Sequence, residues 1–265
     1  MPASFGSGQF RSLPKIIIFF CLALAGCHDR LDWNGLPHHG ASLPGAFAPV
    51  LLFEGKGTSP RDVAAVEAVL DRRGLAYAIA DSDQLNRLDV AQLRSYRLLI
   101  VPGGNFIDIG NSVTTTATAN IRQAVDEGMN YLGLCAGAFF ASDSVFNSVN
   151  LTSGVRFRFY SAEARGVRKA AVLVTDAQGR ALDQYWEDGP DLSGWGDVVA
   201  RYPDGTPAVA QGAYGKGFVV LSGIHPEAPE AWRRGIPFRR SVRDDNAFAG
   251  ELIDAALGSG PPPQG

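Results

Sequence analysis

The sequence predicts an α/β protein with a mostly parallel sheet and an antiparallel extension. Its first half alternates short, continuous apolar runs with amphipathic segments, as in strands that are buried on both faces and joined by helices. Its second half has apolar stretches separated by glycine-containing turns such as "AQG" and "PDG", which are typical of hairpins. Right-handed crossovers in the first half would place helices on both faces of the parallel sheet.

Four apolar runs of the first half are predicted strands. They are "APVLLFEG", "AYAIA", "YRLLIVPGG" and "NYLGLC". The segment "TSPRDVAAVEAVLDRRG" is a predicted helix, because Ser59 can cap it, Pro60 suits its first position and Gly74 can end it. "TATANIRQAVDEG" is predicted to form a second helix.

The predicted antiparallel extension contains three stretches. They are "GVRFRFY", "KAAVLVTDAQGRALDQYW" and "VVARYPDGTPAVAQGAYGKGFVVLSG". The chain then returns with "KGFVVLSGIHPE" and closes with the predicted helix "DDNAFAGELIDAALG". Active sites of parallel sheets lie outside the carboxyl ends of the strands, so residues that directly follow these runs are the candidates for chemistry.

The composition is that of a folded protein with a sizeable core. The chain has 265 residues, of which 46% are hydrophobic and 19% charged. Its formal net charge is −3, and removal of a predicted signal with two basic residues takes it to −5. This acidic balance gives no electrostatic case for a nucleic-acid partner.

The amino terminus reads as an export signal. Arg11 and Lys15 precede the apolar run "IIIFFCLALAG", which is short for a membrane span. The run ends in "LAGC", which resembles a bacterial lipobox and makes Cys27 the predicted lipidation site. His28, rather than aspartate, follows this cysteine, which favours an outer-membrane anchor facing the periplasm. An ordinary secretory signal or an uncleaved anchor is the alternative.

The chain therefore divides into four predicted parts. They are a lipoprotein signal peptide (1–26), a flexible tether (27–47), one folded domain (48–257) and a disordered tail (258–265). His38 and His39 lie in the tether without further ligands nearby, so we predict neither a metal nor a cofactor.

Cys135 is the central candidate residue. Loss of Cys21 with the signal and lipidation of Cys27 would leave it as a lone thiol without a disulfide partner. It lies in "GLCAG", a G-x-C-x-G sequence at a predicted strand-to-helix junction, which is the cysteine version of a nucleophile elbow. A helix amino terminus favours a thiolate. The alternative is that Cys135 is a small core residue.

Two further segments supply partners for this cysteine. "SGIHPE" puts His225 and Glu227 just after the last predicted strand, where they can serve as a base and as the group that orients it. "IVPGG" ends another strand, and its backbone N–H groups, with that of Ala136, can face a developing oxyanion. The alternative is an ordinary loop histidine beside a solvated carboxylate.

The motifs "VPGG", "GLCAGAFFAS" and "SGIHPE", in this order, resemble the class I glutamine amidotransferase-like superfamily. The resemblance is greatest to the domain at the amino terminus of eukaryotic biotin-protein ligases, which also occurs in stand-alone bacterial proteins. It covers roughly residues 49 to 257 and implies a flavodoxin-like three-layer sandwich. It also implies that Cys135 is the nucleophile, that His225 and Glu227 complete a triad, and that Gly104 and Ala136 are the oxyanion donors.

The chain also departs from the amidotransferase pattern. Phe139 occupies the position where glutaminases usually carry a glutamine, and the chain contains no synthetase or biotin-ligase catalytic domain. We therefore expect a cysteine-dependent hydrolase or acyl transferase that acts on an unknown amide or ester, including envelope amides, and disfavour a classical glutaminase. Two alternatives stay open, a non-catalytic lipoprotein that binds a ligand or partner, and a redox thiol.

Three further features have open roles at this point. Phe139 and Phe140 are expected to face the core, and the alternative is an aromatic platform for substrate. The aromatic and acidic loop Tyr185 to Gly196 either covers the cleft or is an ordinary hairpin loop. The basic segment Trp232 to Arg240 is either a solvated face or an attractor of anionic substrate or lipid headgroups.

Overall fold

The computed structural model describes residues 1, 30–31, 37–39 and 48–258. The strands are β1 (Arg30–Leu31), β2 (Pro37–His39), β3 (Val50–Phe53), β4 (Tyr77–Ala80), β5 (Leu98–Val101), β6 (Asn130–Leu134), β7 (Arg158–Phe159), β8 (Lys169–Asp176), β9 (Ala181–Glu187), β10 (Pro190–Asp191), β11 (Asp197–Arg201), β12 (Pro207–Tyr214) and β13 (Gly217–Ser222). The helices are α1 (Pro60–Arg72), α2 (Ser82–Arg87), α3 (Val90–Leu93), α4 (Phe106–Ser112), α5 (Thr115–Asp126), α6 (Ala136–Ala141), α7 (Ser161–Ala164), α8 (Glu230–Arg233) and α9 (Val242–Ala256).

One large sheet organises the fold. Its strand order is β1-β2-β4-β3-β5-β6-β13-β12-β11-β8-β9. The five strands from β4 to β13 in that order pair in parallel, and β12, β11, β8 and β9 extend the sheet by antiparallel pairing. The predicted α/β class, with a mostly parallel sheet and an antiparallel hairpin extension, is confirmed.

Helices cover both faces of the parallel strands. In β3, Leu51 and Phe53 pack into the core shared with α2 to α6, whereas Val50 and Leu52 pack into the core shared with α1 and α9. Both faces are apolar because successive side chains of a strand point to opposite sides. The result is the three-layer sandwich that the resemblance implied.

Local signals set the helix ends. Ser59 caps α1 by accepting from the backbone N–H of Asp62, and Pro60 occupies its first turn, as predicted. The sequence analysis did not predict the short helices α2 and α3, which begin with the capping boxes Asp81 with Gln84 and Asp89 with Gln92. They are too short to show a full apolar period, so their caps are their main sequence signal.

The stretch "GVRFRFY" differs from its prediction. It contributes β7, which pairs only with β10 in a separate two-stranded ribbon, rather than a strand of the large sheet. Its register places Phe159 opposite Pro190 and Arg158 opposite Asp191. The alternation of arginine and phenylalanine indicated an extended segment correctly, but it did not identify the pairing partner.

Most of the predicted termini lie outside the described residues. The signal peptide, Cys27 and the tail beyond Gly258 therefore stay predictions. Within the predicted tether, residues 37–39 form β2, which pairs antiparallel with β4 at the edge of the sheet. Among the described helices, none is both long and apolar enough to cross a bilayer.

Candidate active site

Cys135 occupies a sharp turn between β6 and α6. Its φ of 48° and ψ of −102° are a backbone conformation that a residue with a side chain rarely adopts. Its backbone N–H donates to the carbonyl oxygen of Ser222, at the end of neighbouring β13, over 2.7 Å. The turn therefore holds the thiol at the carboxyl edge of the parallel sheet.

The two glycines of the elbow are there for steric reasons. A Cβ on Gly133 would lie 2.5 Å from the carbonyl oxygen of Gly137, and a Cβ on Gly137 would overlap the carbonyl oxygen of Val101. Neither site has room for a methyl group, because the start of α6 crosses directly over the ends of β5 and β6. These clashes explain why positions 133 and 137 of the G-x-C-x-G sequence are glycines.

His225 and Glu227 meet beside this turn. The backbone N–H of His225 donates to the carbonyl oxygen of Tyr185 over 2.8 Å, and its Nδ1 lies 2.9 Å from Oε1 of Glu227. His225 is 4% exposed, Glu227 2% and Cys135 6%. His225 and Cys135 also line the same cleft. The structure thus brings together the three residues that the sequence analysis selected, whereas their catalytic roles stay a prediction.

Asp62 is a fourth member of this cluster, and the sequence analysis missed it. Its Oδ1 lies 3.1 Å from Nδ1 of His225, so two carboxylates approach the same ring nitrogen. Asp62 is 7% exposed and lies in the first turn of α1, which follows β3. There it looked like an ordinary acidic residue at a helix amino terminus, although its position after a buried strand was a usable signal.

Gly103 makes room for this fourth residue. A Cβ at Gly103 would overlap Oδ1 of Asp62 and would lie 2.8 Å from Cε1 of His225. The paired glycines of "PGG" were predicted to serve oxyanion binding alone. The first of them instead lets the histidine and the aspartate approach each other.

The protonation of the cluster follows from burial and charge. Burial alone would lower the pKa of His225, but the negative charges of Cys135 and Glu227 and the hydrogen bond to Asp62 raise it well above its usual value. Burial raises the pKa of Glu227. Burial would also raise the pKa of Asp62, yet its hydrogen bond and charge interaction with His225 lower it. The geometry therefore favours an imidazolium whose Nδ1–H faces two carboxylates.

Gly104 and Ala136, the predicted oxyanion donors, both line the cleft that contains Cys135. Gly104 has a φ of 146°, and a Cβ there would overlap the carbonyl oxygen of Gly57. Among the backbone hydrogen bonds that the described residues make outside helices and strands, none has the N–H of Gly104 or Ala136 as its donor. Their role as oxyanion donors stays a prediction.

The cleft has a volume of about 880 Å³, which is within the usual range for small-molecule sites. Phe139 is buried, as expected, but it also lines the cleft, whereas Phe140 lies wholly in the core. Tyr185, which lies in β9 rather than in the predicted loop, lines the cleft as well, and so do Glu187 and Asp188. The segment predicted as an aromatic and acidic loop therefore forms part of the cleft wall.

Some side chains of the basic segment Trp232 to Arg240 stabilise the fold, and others line the cleft. Arg233 is buried and pairs with Asp245 over 2.9 Å, and Nη1 of Arg240 donates to the carbonyl oxygen of Ala181 over 2.8 Å. Trp232 and Arg234 line the cleft. The segment is thus anchored by two of its arginines and presents two other side chains to the site.

The cluster also contains the one group of possible metal ligands found among the described residues. Ligand atoms of Asp62, His225 and Glu227 all lie within 4.8 Å of one another. The separations of 2.9 and 3.1 Å from Nδ1 are hydrogen-bond distances, so a proton on Nδ1 already explains the grouping.

Comparison with known proteins supports the fold and the resemblance. Residues 48–179 match the family model described as "Biotin-protein ligase, N terminal". The chain is 31% identical over 162 residues to a biotin--protein ligase of Schizosaccharomyces pombe, which covers 50% of the chain and 26% of that enzyme. It is 31% identical over 157 residues to an uncharacterized protein of Chlamydia muridarum, which covers 49% of the chain and 60% of that protein.

A crystal structure of a glutamine amidotransferase shares the fold. It has a TM-score of 0.57 and 19% identity, and the match covers 79% of the chain and 99% of that protein. The predicted fold and the resemblance of residues 48–179 to the biotin-protein ligase amino-terminal domain are therefore confirmed. Because the chain spans only 26% and 60% of the two curated relatives, their activities do not transfer to it directly.

Proposed function

We infer the function from the family: residues 48–179 are a biotin-protein ligase N-terminal domain, and the fold is class I glutamine amidotransferase-like. We propose that the protein is a cysteine-dependent hydrolase or acyl transferase that acts on an amide or ester. The observation that carries the proposal is that Cys135, on its strained turn, and His225 line one cleft, with buried Glu227 2.9 Å from Nδ1 of His225.

The proposed reaction begins with attack on the carbonyl carbon. The Cys135 thiolate forms a bond to that carbon, and the carbonyl oxygen takes the negative charge, facing the backbone N–H groups of Gly104 and Ala136. The His225 imidazolium then donates its proton to the leaving amine or alkoxide as the carbon–heteroatom bond breaks. The product of this half is an acyl-cysteine thioester and a neutral His225.

The second half releases the acyl group. His225 takes a proton from water, or from an acceptor amine, as the nucleophile attacks the thioester, and Cys135 leaves as a thiolate. Throughout the cycle, Glu227 accepts from Nδ1–H of His225 and the carboxylate of Asp62 lies 3.1 Å from the same nitrogen, which leaves Nε2 as the nitrogen that exchanges protons with the reactants. No external oxidant, reductant or nucleotide is required.

Glutamine is disfavoured as the substrate. Phe139 replaces the glutamine that glutaminases use at this position, and its ring offers no hydrogen bond to a polar side chain. We also propose that lipidation of Cys27 anchors the protein in the cell envelope, on an outer membrane facing the periplasm, so that its substrates are envelope amides or esters. Metabolic labelling with a fatty acid should mark the wild-type protein and fail to mark Cys27→Ala.

Intact-mass measurement after incubation with p-nitrophenyl esters tests the proposed chemistry. The wild-type protein should gain one acyl group on Cys135 and release it with time. Cys135→Ala should not gain it, and His225→Gln should gain it far more slowly. Full activity of Cys135→Ala would overturn the proposal.

A non-catalytic binding protein is the second candidate. It is favoured by one observation, that Sγ of Cys135 lies 3.4 Å from the carbonyl oxygen of Glu187, which a neutral thiol can satisfy as a donor. In that case the esters would leave Cys135 unmodified, and ligands would still bind in the cleft.

A further inference from the structure

Three phenylalanines form a continuous aromatic surface beside the nucleophile. We name Phe106, Phe139 and Phe159 the phenylalanine wall. The ring centroids of Phe106 and Phe139 are 4.8 Å apart and stacked, and those of Phe139 and Phe159 are 4.9 Å apart. All three side chains line the cleft with Cys135.

The middle ring of the wall belongs to a residue close to Cys135 in the chain. Phe139 follows Cys135 by four residues along α6, and its backbone N–H donates to the carbonyl oxygen of Cys135 over 3.2 Å. Phe139 contacts both other rings, since Phe106 stacks on it and Phe159 is tilted against it. Phe159 is 42% exposed, so the wall presents free aromatic surface to the cleft.

A second aromatic group lies on the histidine side of the site. The ring of Trp232 is 5.5 Å from that of Tyr185, and each ring is 5.8 Å from the ring of His225. Trp232 and Tyr185 both line the cleft. The reacting groups are therefore flanked by aromatic surfaces, which suit a flat apolar ligand group better than a polar one.

We propose that the phenylalanine wall binds an aromatic acyl group of the substrate, next to the carbonyl that Cys135 attacks. This inference rests on the proposed function only in that Cys135 attacks the carbonyl, because the wall can bind the aromatic ring of a ligand whether or not Cys135 reacts with it. Covering Phe159 would remove exposed apolar surface from water, and stacking on the wall would orient the ring. The substrate class is thus an amide or ester of an arylalkanoic acid.

Binding is the first test and does not depend on catalysis. Calorimetric titration of the full-length protein with 3-phenylpropionamide, propionamide and glutamine should show the aromatic amide to bind at least about tenfold more tightly than the other two. Phe159→Ala should lose most of this preference, and Phe159→Leu should keep only part of it. Equal binding of the three amides would overturn the inference.

Leu173→Ala is the matched control for these variants. Leu173 is 41% exposed, close to the value for Phe159, and it does not line the cleft. Because both side chains are exposed, neither truncation should unfold the protein. A loss of preference in Leu173→Ala equal to that in Phe159→Ala would contradict a local role for the wall.

Acylation is the second test and separates the two proposals. The p-nitrophenyl esters of 3-phenylpropionate and propionate share the same leaving group, and two methylenes insulate the ring from the carbonyl. Faster acylation of Cys135 by the aromatic ester, by about tenfold, is the expected result. Equal acylation rates would refute the proposed binding role of the wall but not the proposed function. Tight binding of the aromatic amide without acylation of Cys135 by either ester would refute the proposed function but not the binding role of the wall.

Discussion

Asp62 and Glu227 approach the same nitrogen of His225, and this shared contact predicts a non-additive pair of substitutions. Their carboxylate oxygens lie 3.1 and 2.9 Å from Nδ1. Asp62→Asn and Glu227→Gln each remove one negative charge while keeping nearly the same volume. Either remaining carboxylate can still accept the single Nδ1–H, so each single variant should keep much of the reactivity of Cys135.

The expected magnitudes follow from the hydrogen bond. A hydrogen bond to a charged group contributes roughly 1.5 to 3 kcal/mol, and each 1.4 kcal/mol is about tenfold in a rate or equilibrium. Losing one of two alternative acceptors should cost less than one such bond, about 1 kcal/mol or roughly fivefold. Losing both should remove the support of the imidazolium and slow the reaction about a hundredfold.

Alkylation of Cys135 by iodoacetamide at pH 6, followed by peptide mass spectrometry, measures the effect. Asp71→Asn is the control, because it removes the same charge from the same helix at an exposed position. Unfolding midpoints show whether each variant stays folded. A wild-type rate for Asp62→Asn, together with a Glu227→Gln rate equal to that of the double variant, would refute a role for Asp62.

Two further predictions concern stability. Gly137→Ala should destabilise the fold by about 1 to 3 kcal/mol, since its Cβ would overlap the carbonyl oxygen of Val101. Gly212→Ala, whose Cβ would have its nearest contact at 3.3 Å, should change the free energy of unfolding little. Urea unfolding measures both variants, and equal losses of unfolding free energy would contradict the steric reason. Burial raises the pKa of Asp245 to about 6 despite its pairing with Arg233, so its contribution to stability should be fully present below about pH 4 and be lost as the pH rises through 6. Asp245→Asn should abolish this dependence of the free energy of unfolding on pH between 4 and 6. An unchanged pH dependence in Asp245→Asn would contradict its attribution to Asp245.

The sequence was most informative where a local structural feature requires a particular residue type. The glycines of the elbow, the capped start of α1 and the apolar runs of β3 to β6 were all predictable, because strand burial and steric exclusion act locally. The order of those strands then brought Cys135 and His225 to the same edge of the sheet.

What could not be predicted depends on contacts between distant segments. Asp62 joins the cluster because the first turn of α1 lies beside His225, and its position after a buried strand, the one signal in the sequence, does not identify that contact. The phenylalanine wall could not be predicted either, because the sequence does not show that β7 pairs with β10. Phe139 was expected to be buried, and only the three-dimensional arrangement shows that its neighbours carry free surface into the cleft.

The central claim is that His225 activates Cys135. The most direct measurement is the rate of alkylation of Cys135 against pH in the full-length wild-type protein and in His225→Ala, read on the peptide that contains Cys135. The account predicts that the wild-type protein reacts readily at pH 6, where an isolated thiol is almost wholly protonated, and that His225→Ala reacts only near the pH of a free cysteine, about 8.5. Identical profiles for the two proteins would contradict it.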